Sequence, residues 1–330
     1  MAGAPRMARR LSTSLCALLA GAMPLAAQSV AQPFPDRPIR IIVPFPAGGA
    51  VDLVARLVSQ RMSEDNGWSF VIENKAGAGG IIATDATAKA AADGYTLLLT
   101  TPSHTINAAL KAKLPYDSER DLVPVSVVAD IPELLVAHPG APFKDFAELV
   151  TYGKANPGKL NYSSAGNGTL PHVTMELLLR LAGIQVVHVP YRGAAPALTD
   201  LVAGVVQLKY DTIATSSPLI AAGQLRAIAL ASEKRSSLLP AVPTVAELGF
   251  AGYEGVLWNG LMAPAGVPKA IIARLVTAIV GAVRNPALAE RLIRDGIEPV
   301  GGTPEAFAAR IAKETAQWRD LAKSVKIAID

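Results

Sequence analysis

The stretch Ile41-Ile42-Val43-Pro44-Phe45-Pro46-Ala47-Gly48-Gly49-Ala50-Val51-Asp52 reads as a buried strand, a Pro/Gly loop and the start of a helix. A glycine pair at such a junction lets the backbone approach a ligand closely. The first N–H groups of a helix lack an acceptor within it, and together with the helix dipole they favour an anion. A second junction of this kind follows at Leu160-Asn161-Tyr162-Ser163-Ser164-Ala165-Gly166-Asn167-Gly168-Thr169. Two anion-seeking loops, one in each half of the chain, point to a clamp around a small acid.

Around these loops strands and helices alternate. In the first half, residues 40–43, 69–73 and 95–100 read as strands. Residues 50–62 and 80–91 read as helices, the former with Val51, Val54, Ala55 and Val58 on one face. The second half has helix 143–155, strand 159–163, helix 169–181 and strand 185–189. Helix 194–203, strand 206–211, helix 217–222 and strand 225–231 follow. Strands separated by helices imply parallel pairing in an α/β sheet. The expected fold class is therefore α/β, with two doubly wound domains and a ligand cleft between them. Residues 36–129 and 229–330 would form a discontinuous first domain, and residues 130–228 the second. Crossing strands near 123–129 and 225–231 would join them. Ligands of open α/β sheets sit beyond the carboxyl ends of the strands, where both glycine loops lie. The tail is helical at 269–283, 286–294 and 304–323 and should pack back on the first domain, with Trp318 and Leu321 as docking residues.

The N-terminus has the layout of a secretory signal peptide. Arg6, Arg9 and Arg10 precede an apolar run over residues 11–27, and small residues follow. Residues 1–31 are assigned to it, which places the mature protein in the periplasm. The single cysteine, Cys16, and three arginines leave with that segment. The mature chain then has no thiol chemistry, and its formal charge falls from +4 to nearly zero. Nothing in that balance calls for a nucleic acid partner. No later apolar run is long enough to span a bilayer, and a monomer is expected.

Catalytic chemistry is sparse. The histidines are His104, His138, His172 and His188, none in a His-x-x-x-His pair, so neither a metal nor a cofactor is expected. The glycines at 77–80 match neither a dinucleotide fingerprint nor a Walker loop. Ser163-Ser164-Ala165-Gly166 has part of a nucleophile elbow, with Tyr162 where the first glycine belongs. A Ser164/His172/Asp211 triad can be drawn, but triads are defined by geometry. Recognition remains. Ser103, Ser164, Asn167 and Thr169 offer short hydrogen-bonding groups, and Phe45 and Tyr191 offer apolar walls. Pro46, Ala47, Gly48, Gly49, Ala165, Gly166 and Gly168 supply loop backbone. Asp52 either stabilises its helix N-terminus or meets a cationic group of the ligand. Asp211 ends a strand facing the cleft. Arg192 either pairs with a second ligand carboxylate or serves the surface.

With these segments the chain resembles the substrate-binding receptors of tripartite tricarboxylate transporters, the Bug receptors. The resemblance runs from about residue 38 to the C-terminus. It rests on Val43-Pro44-Phe45-Pro46-Ala47-Gly48-Gly49 with Asp52, on Glu73-Asn74-Lys75-Ala76-Gly77-Ala78-Gly79-Gly80, and on Asp93-Gly94-Tyr95-Thr96-Leu97-Leu98. Ser164-Ala165-Gly166-Asn167-Gly168-Thr169 and Val189-Pro190-Tyr191-Arg192-Gly193 carry it in the second half. It implies a type II periplasmic binding protein fold, no catalysis, a small organic carboxylate as ligand and membrane transport subunits as partners. Leu170-Pro171, Ile81-Ile82-Ala83, Lys209 and Thr212 depart from the family pattern and suggest a ligand less polar than citrate. Two other readings stay open: a secreted serine hydrolase using Ser164 and His172, and a periplasmic ligand sensor. In the receptor reading one carboxylate lies between the loops at residues 45–49 and 164–169. A side chain on Gly48 or Gly168 would then block its approach.

Overall fold

The computed structural model describes residues 1–4, 34–111 and 113–324. Nearly all of the expected signal segment lies outside the described residues. The chain first lays down β1 (Ile39–Val43), α1 (Ala50–Asn66), β2 (Phe70–Asn74), α2 (Ile81–Ala88), β3 (Thr96–Thr100), α3 (Ser103–Leu110) and β4 (Leu122–Asp130). It continues with β5 (Glu133–Ala137), α4 (Phe146–Ala155), β6 (Asn161–Ser164), α5 (Leu170–Ala182), β7 (Val187–Pro190), α6 (Ala194–Val202), β8 (Leu208–Thr212), α7 (Ile213–Ala221) and β9 (Arg226–Leu230). Then come β10 (Asn259–Pro264), α8 (Lys269–Arg284), α9 (Pro286–Arg294), β11 (Glu298–Pro299) and α10 (Pro304–Ser324).

Two sheets result, ordered β11-β4-β10-β3-β1-β2 and β7-β6-β8-β5-β9. Inner strands such as β3 and β5 are buried along their whole length. In the first sheet Ile41, Val43, Leu97 and Leu99 face the core shared with α1 and α8, while Ile42 and Leu98 face Met262, Trp258 and Phe307. In the second, Leu135, Tyr162 and Tyr210 pack toward α4 and α5, and Leu134 and Val136 toward α6 and α7. The wholly parallel pairing expected from alternation holds for β1, β2, β3 and for β6, β7, β8. It fails at β5, β9, β10 and β11, which enter antiparallel. β5 and β10 are the first strands after a crossing between sheets, and β9 is antiparallel only because its neighbour is β5.

The crossings also differ from expectation. β4 lies wholly in the first sheet and β9 in the second. The chain passes between sheets at 131–133 and 255–257, and these segments run side by side. Ile131 N–H donates to Leu257 O (3.2 Å), Leu257 N–H to Ile131 O (2.8 Å) and Glu133 N–H to Gly255 O (3.0 Å). The expected return of the first domain at residue 229 falls inside β9. Val245 and Tyr253 still belong to the second core. α10 packs on the first sheet through Phe307, but Trp318 lies against Ile106 of α3 and Leu170 and Val173 of α5, touching both lobes. Among the described residues no single helix is long and apolar enough to cross a membrane.

Candidate functional site

A cavity lies at the carboxyl ends of the strands, between the sheets. Phe45, Val51, Leu170 and Leu257 make it apolar. Gly49, Ser103, Glu133, Thr169, Lys209 and Asp211 bring polar groups to it. The lobes meet tightly around it. A β-carbon on Gly79 would stand 2.4 Å from the Asn167 carbonyl oxygen, and one on Gly168 would stand 2.7 Å from Asn107 Oδ1.

The loop after β1 aims a helix N-terminus at this cavity. α1 is capped by Gly49 without a side-chain bond, and its first backbone bond runs from Leu53 N–H to Gly49 O. The amides of Ala50, Val51 and Asp52 therefore have no helical acceptor, and Gly49, Ala50 and Val51 line the cavity. Asp52 does not line it. Its carboxylate accepts from Gly48 N–H (3.1 Å), Arg56 Nε (2.9 Å) and Asn74 Nδ2 (2.9 Å). Asn74 Nδ2 also donates to Phe45 O (2.9 Å), so these bonds tie the loop to the helix. Burial alone would raise the Asp52 carboxyl, but the bonds from Arg56, Asn74 and Gly48 and the charge of Arg56 outweigh it and hold it below the ordinary range. Asp52 thus orients the loop, correcting its reading as a ligand group. Gly48 is exposed with φ +88°, and a β-carbon there would meet no protein atom within 4 Å. A side chain at Gly48 strains the backbone.

The loop after β6 is held by neutral groups. Ser164 Oγ accepts from Gly166 N–H (3.1 Å) and lies 2.7 Å from His188 Nε2. Gly168 N–H donates to His172 Nδ1 (3.3 Å) and Thr169 Oγ1 donates to Gly166 O (2.6 Å). His188 stacks between His172 and Tyr162, with ring centroids 4.2 and 4.7 Å away. Burial pushes His172 down to about 4 and His188 to about 3, the latter helped by the neighbouring His172, so both rings are neutral near pH 7. The drawn triad does not assemble. Ser164 is fully buried and pairs with His188, and Asp211 is bonded to Lys209 and Ser216. Ser164, Gly166 and Gly168 therefore shape the loop, while Ala165 and Thr169 reach the cavity wall. Pro171 at the second position of α5 removes one N–H, leaving Leu170 as that helix's early free amide.

Tyr191 is a wall of a side opening rather than of the cavity, and its hydroxyl donates to Asp200. Asn167 and the exposed Arg192 line the same opening, and Pro46 lines the cavity beside Phe45. Ala47 is exposed and outside the cavity lining. Ser103, in the first turn of α3, is 4% exposed and lines the cavity, as does Asp211. Sequence reasoning placed neither Glu133 nor Lys209 in the site. The available signal was a pair of opposite charges two residues apart in an otherwise buried strand, Leu208-Lys209-Tyr210-Asp211-Thr212, which puts both on one face. Lys209 Nζ donates to Asp211 Oδ1 (2.7 Å) and to Tyr210 O (2.9 Å). Among the described residues no cluster of His, Cys, Asp and Glu could hold a metal ion.

Two α/β lobes, paired crossing segments and a closed, mostly apolar cavity faced by helix N-termini define a solute-binding protein of the periplasmic binding fold. Residues 54–327 match the model of the tripartite tricarboxylate transporter family receptor, and the chain belongs to that family. Solved structures agree. The periplasmic binding protein BugD is 34% identical with a TM-score of 0.85, covering 88% of this chain and 98% of its own. Rpa4515 of R. palustris, solved with adipate, is 37% identical with a TM-score of 0.86, covering 89% of this chain and 99% of its own. MatC of Rhodopseudomonas palustris, solved with bound malate, is 35% identical with a TM-score of 0.83, covering 87% and 99%.

Proposed function

We infer that this chain is a periplasmic receptor that captures a small organic carboxylate and delivers it, as a monomer, to the membrane subunits of a tripartite tricarboxylate-type transporter. The observation that carries the reading is the uncapped N-terminus of α1, whose amides open on a buried, largely apolar cavity. An anion there gains backbone donors and a favourable dipole. Leu170 N–H supplies a further donor from the other lobe. The adipate and malate held by the two related proteins are acids of the class such a site suits. The closing bodies are residues 34–130 with 258–324, and residues 134–254, hinged where the two crossings pair. Ligand favours the closed arrangement and shifts the population toward it. The signal-like residues 1–31 carry the chain to the periplasm.

A thermal-shift screen of mono-, di- and tricarboxylates tests this. A raised melting temperature with the acid recovered unchanged is expected. No shift with any carboxylate, or ester turnover abolished by Ser164→Ala, would overturn it.

A further inference from the structure

Among the described residues that line the cavity Lys209 is the one cation, and it is 1% exposed. An ammonium has three donors. Two are engaged, by Asp211 Oδ1 at 2.7 Å and Tyr210 O at 2.9 Å. Asp211 Oδ2 accepts from Ser216 Oγ at 2.7 Å, so each of its oxygens already has a donor. The lysine's third hydrogen is what this pair can still donate to a ligand. A buried ion pair is a poor stabiliser, because desolvation offsets the attraction, so packing alone does not explain a lysine in this strand.

Glu133 stands at the same strand end, reached from the first crossing, and is 2% exposed. Its Oε2 lies 2.8 Å from Thr174 Oγ1, which is itself 2.7 Å from Leu170 O. A hydroxyl has one proton and a carbonyl can only accept. Thr174 therefore cannot give its proton fully to both, so it does little to hold a charge on Glu133. The titratable and charged groups around Glu133 are Lys209, Asp211 and Tyr210 of β8, and Tyr253. Burial pushes its carboxyl up to about 8, with Asp211 adding to the rise and Thr174 and Lys209 opposing it. The floor of the cavity then has no net charge, and its free donor is the lysine's.

Resting on the receptor reading above, we propose that Lys209 reads a second, oxygen-bearing end of the ligand, and that Glu133 is a positioning residue whose neutrality keeps the floor from repelling an anion. The site therefore selects acids with a second carboxylate over alkanoates of equal length. Such a diacid is still less polar than citrate, as the departures from the family pattern suggest. Its second carboxylate is thereby assigned to Lys209 rather than to the exposed Arg192.

Calorimetry on the full chain with succinate, glutarate and adipate against butyrate, valerate and hexanoate is the test. The wild type should prefer the diacid by at least tenfold at pH 6.5. Lys209→Met/Asp211→Asn, which removes the pair without stranding a charge, should abolish the preference. Glu133→Gln should keep it and hold it constant to pH 9, where the wild type loses most of it; this variant serves if the double variant fails to fold by circular dichroism. Equal binding of mono- and diacids by the wild type, or a preference that survives in the double variant, overturns the assignment while leaving the receptor intact. A pH-independent preference in the wild type overturns the role of Glu133. No binding of any of the six acids overturns the receptor reading as well.

Discussion

In the loop after β1 a single buried carboxylate, Asp52, gathers the Gly48 amide, Arg56 and Asn74. In the loop after β6 no charge is used; Ser164, Thr169, His172 and His188 hold the backbone as neutral groups. The first loop leaves three amides of α1 without a helical acceptor. The second opens on a helix whose second residue, Pro171, has no N–H. The two junctions therefore contribute unequally. In the receptor proposed above, the first lobe supplies most of the backbone donors, and the second supplies shape and the charged floor at Lys209 and Asp211. A loop locked by an ionised carboxylate loses its lock only in strong acid. A loop locked by neutral imidazoles is sensitive a little below neutrality.

The largest difference should appear between Gly168→Ala and Gly48→Ala. The first puts a β-carbon 2.7 Å from Asn107 Oδ1 at φ +74°, across the lobe interface. Calorimetry should find carboxylate affinity down by roughly a hundredfold or more, since closure fails. The second meets open space and should lose only about 1 kcal/mol of stability to backbone strain, with affinity nearly unchanged. Equal effects would erase the distinction between an interface glycine and an open one.

Next is Asp52→Ala, which strands the Gly48 amide and Asn74. Urea denaturation should show a loss of about 3 kcal/mol, with little credited to Arg56 because that side chain is half exposed. A loss below about 1 kcal/mol would mean the carboxylate does not hold the loop.

The pH response of the second loop should be somewhat smaller. His172 has its pKa lowered from 6.5 to about 4 by burial and, secondarily, by Lys111. A depressed pKa means the associated stability is complete above the unfolded value of 6.5 and is lost as pH falls toward 4. Denaturation midpoints between pH 7.5 and 4.5 should register about 2 kcal/mol of loss from this residue. His172→Asn should flatten that slope, and an unchanged slope would exclude the imidazole as its source. The smallest effect belongs to Thr169→Ala. Its hydroxyl proton is engaged by Gly166 O, so about 1 kcal/mol of a neutral bond is removed rather than a charge-assisted one to the ligand. A loss of affinity above thirtyfold would show that the hydroxyl turns to the ligand instead.

Much of this molecule is legible in the residue order because the relevant interactions are local. Apolar runs such as Thr96-Leu97-Leu98-Leu99-Thr100 become strands buried on both faces, and a glycine loop followed by a helical period becomes a strand-to-helix junction wherever the chain goes. The ends of those strands are where an α/β cleft must lie, so Phe45, Gly49, Ser103, Thr169 and Asp211 could be expected near the cavity they line. Other features depend on which distant segments meet. The side-by-side crossings at 131–133 and 255–257 bring together residues more than a hundred positions apart, and no local signal marks where they meet. Asp52 and Asp211 are both 4% exposed and both follow or end a strand, yet one faces its own loop and the other the ligand space. Glu133 becomes part of the floor only because β5 runs antiparallel to β8 and sets Glu133 opposite Thr212. Sequence order specifies the hydrogen bonds a residue can make with near neighbours; the direction in which a buried charge points is decided by the partners that folding brings to it.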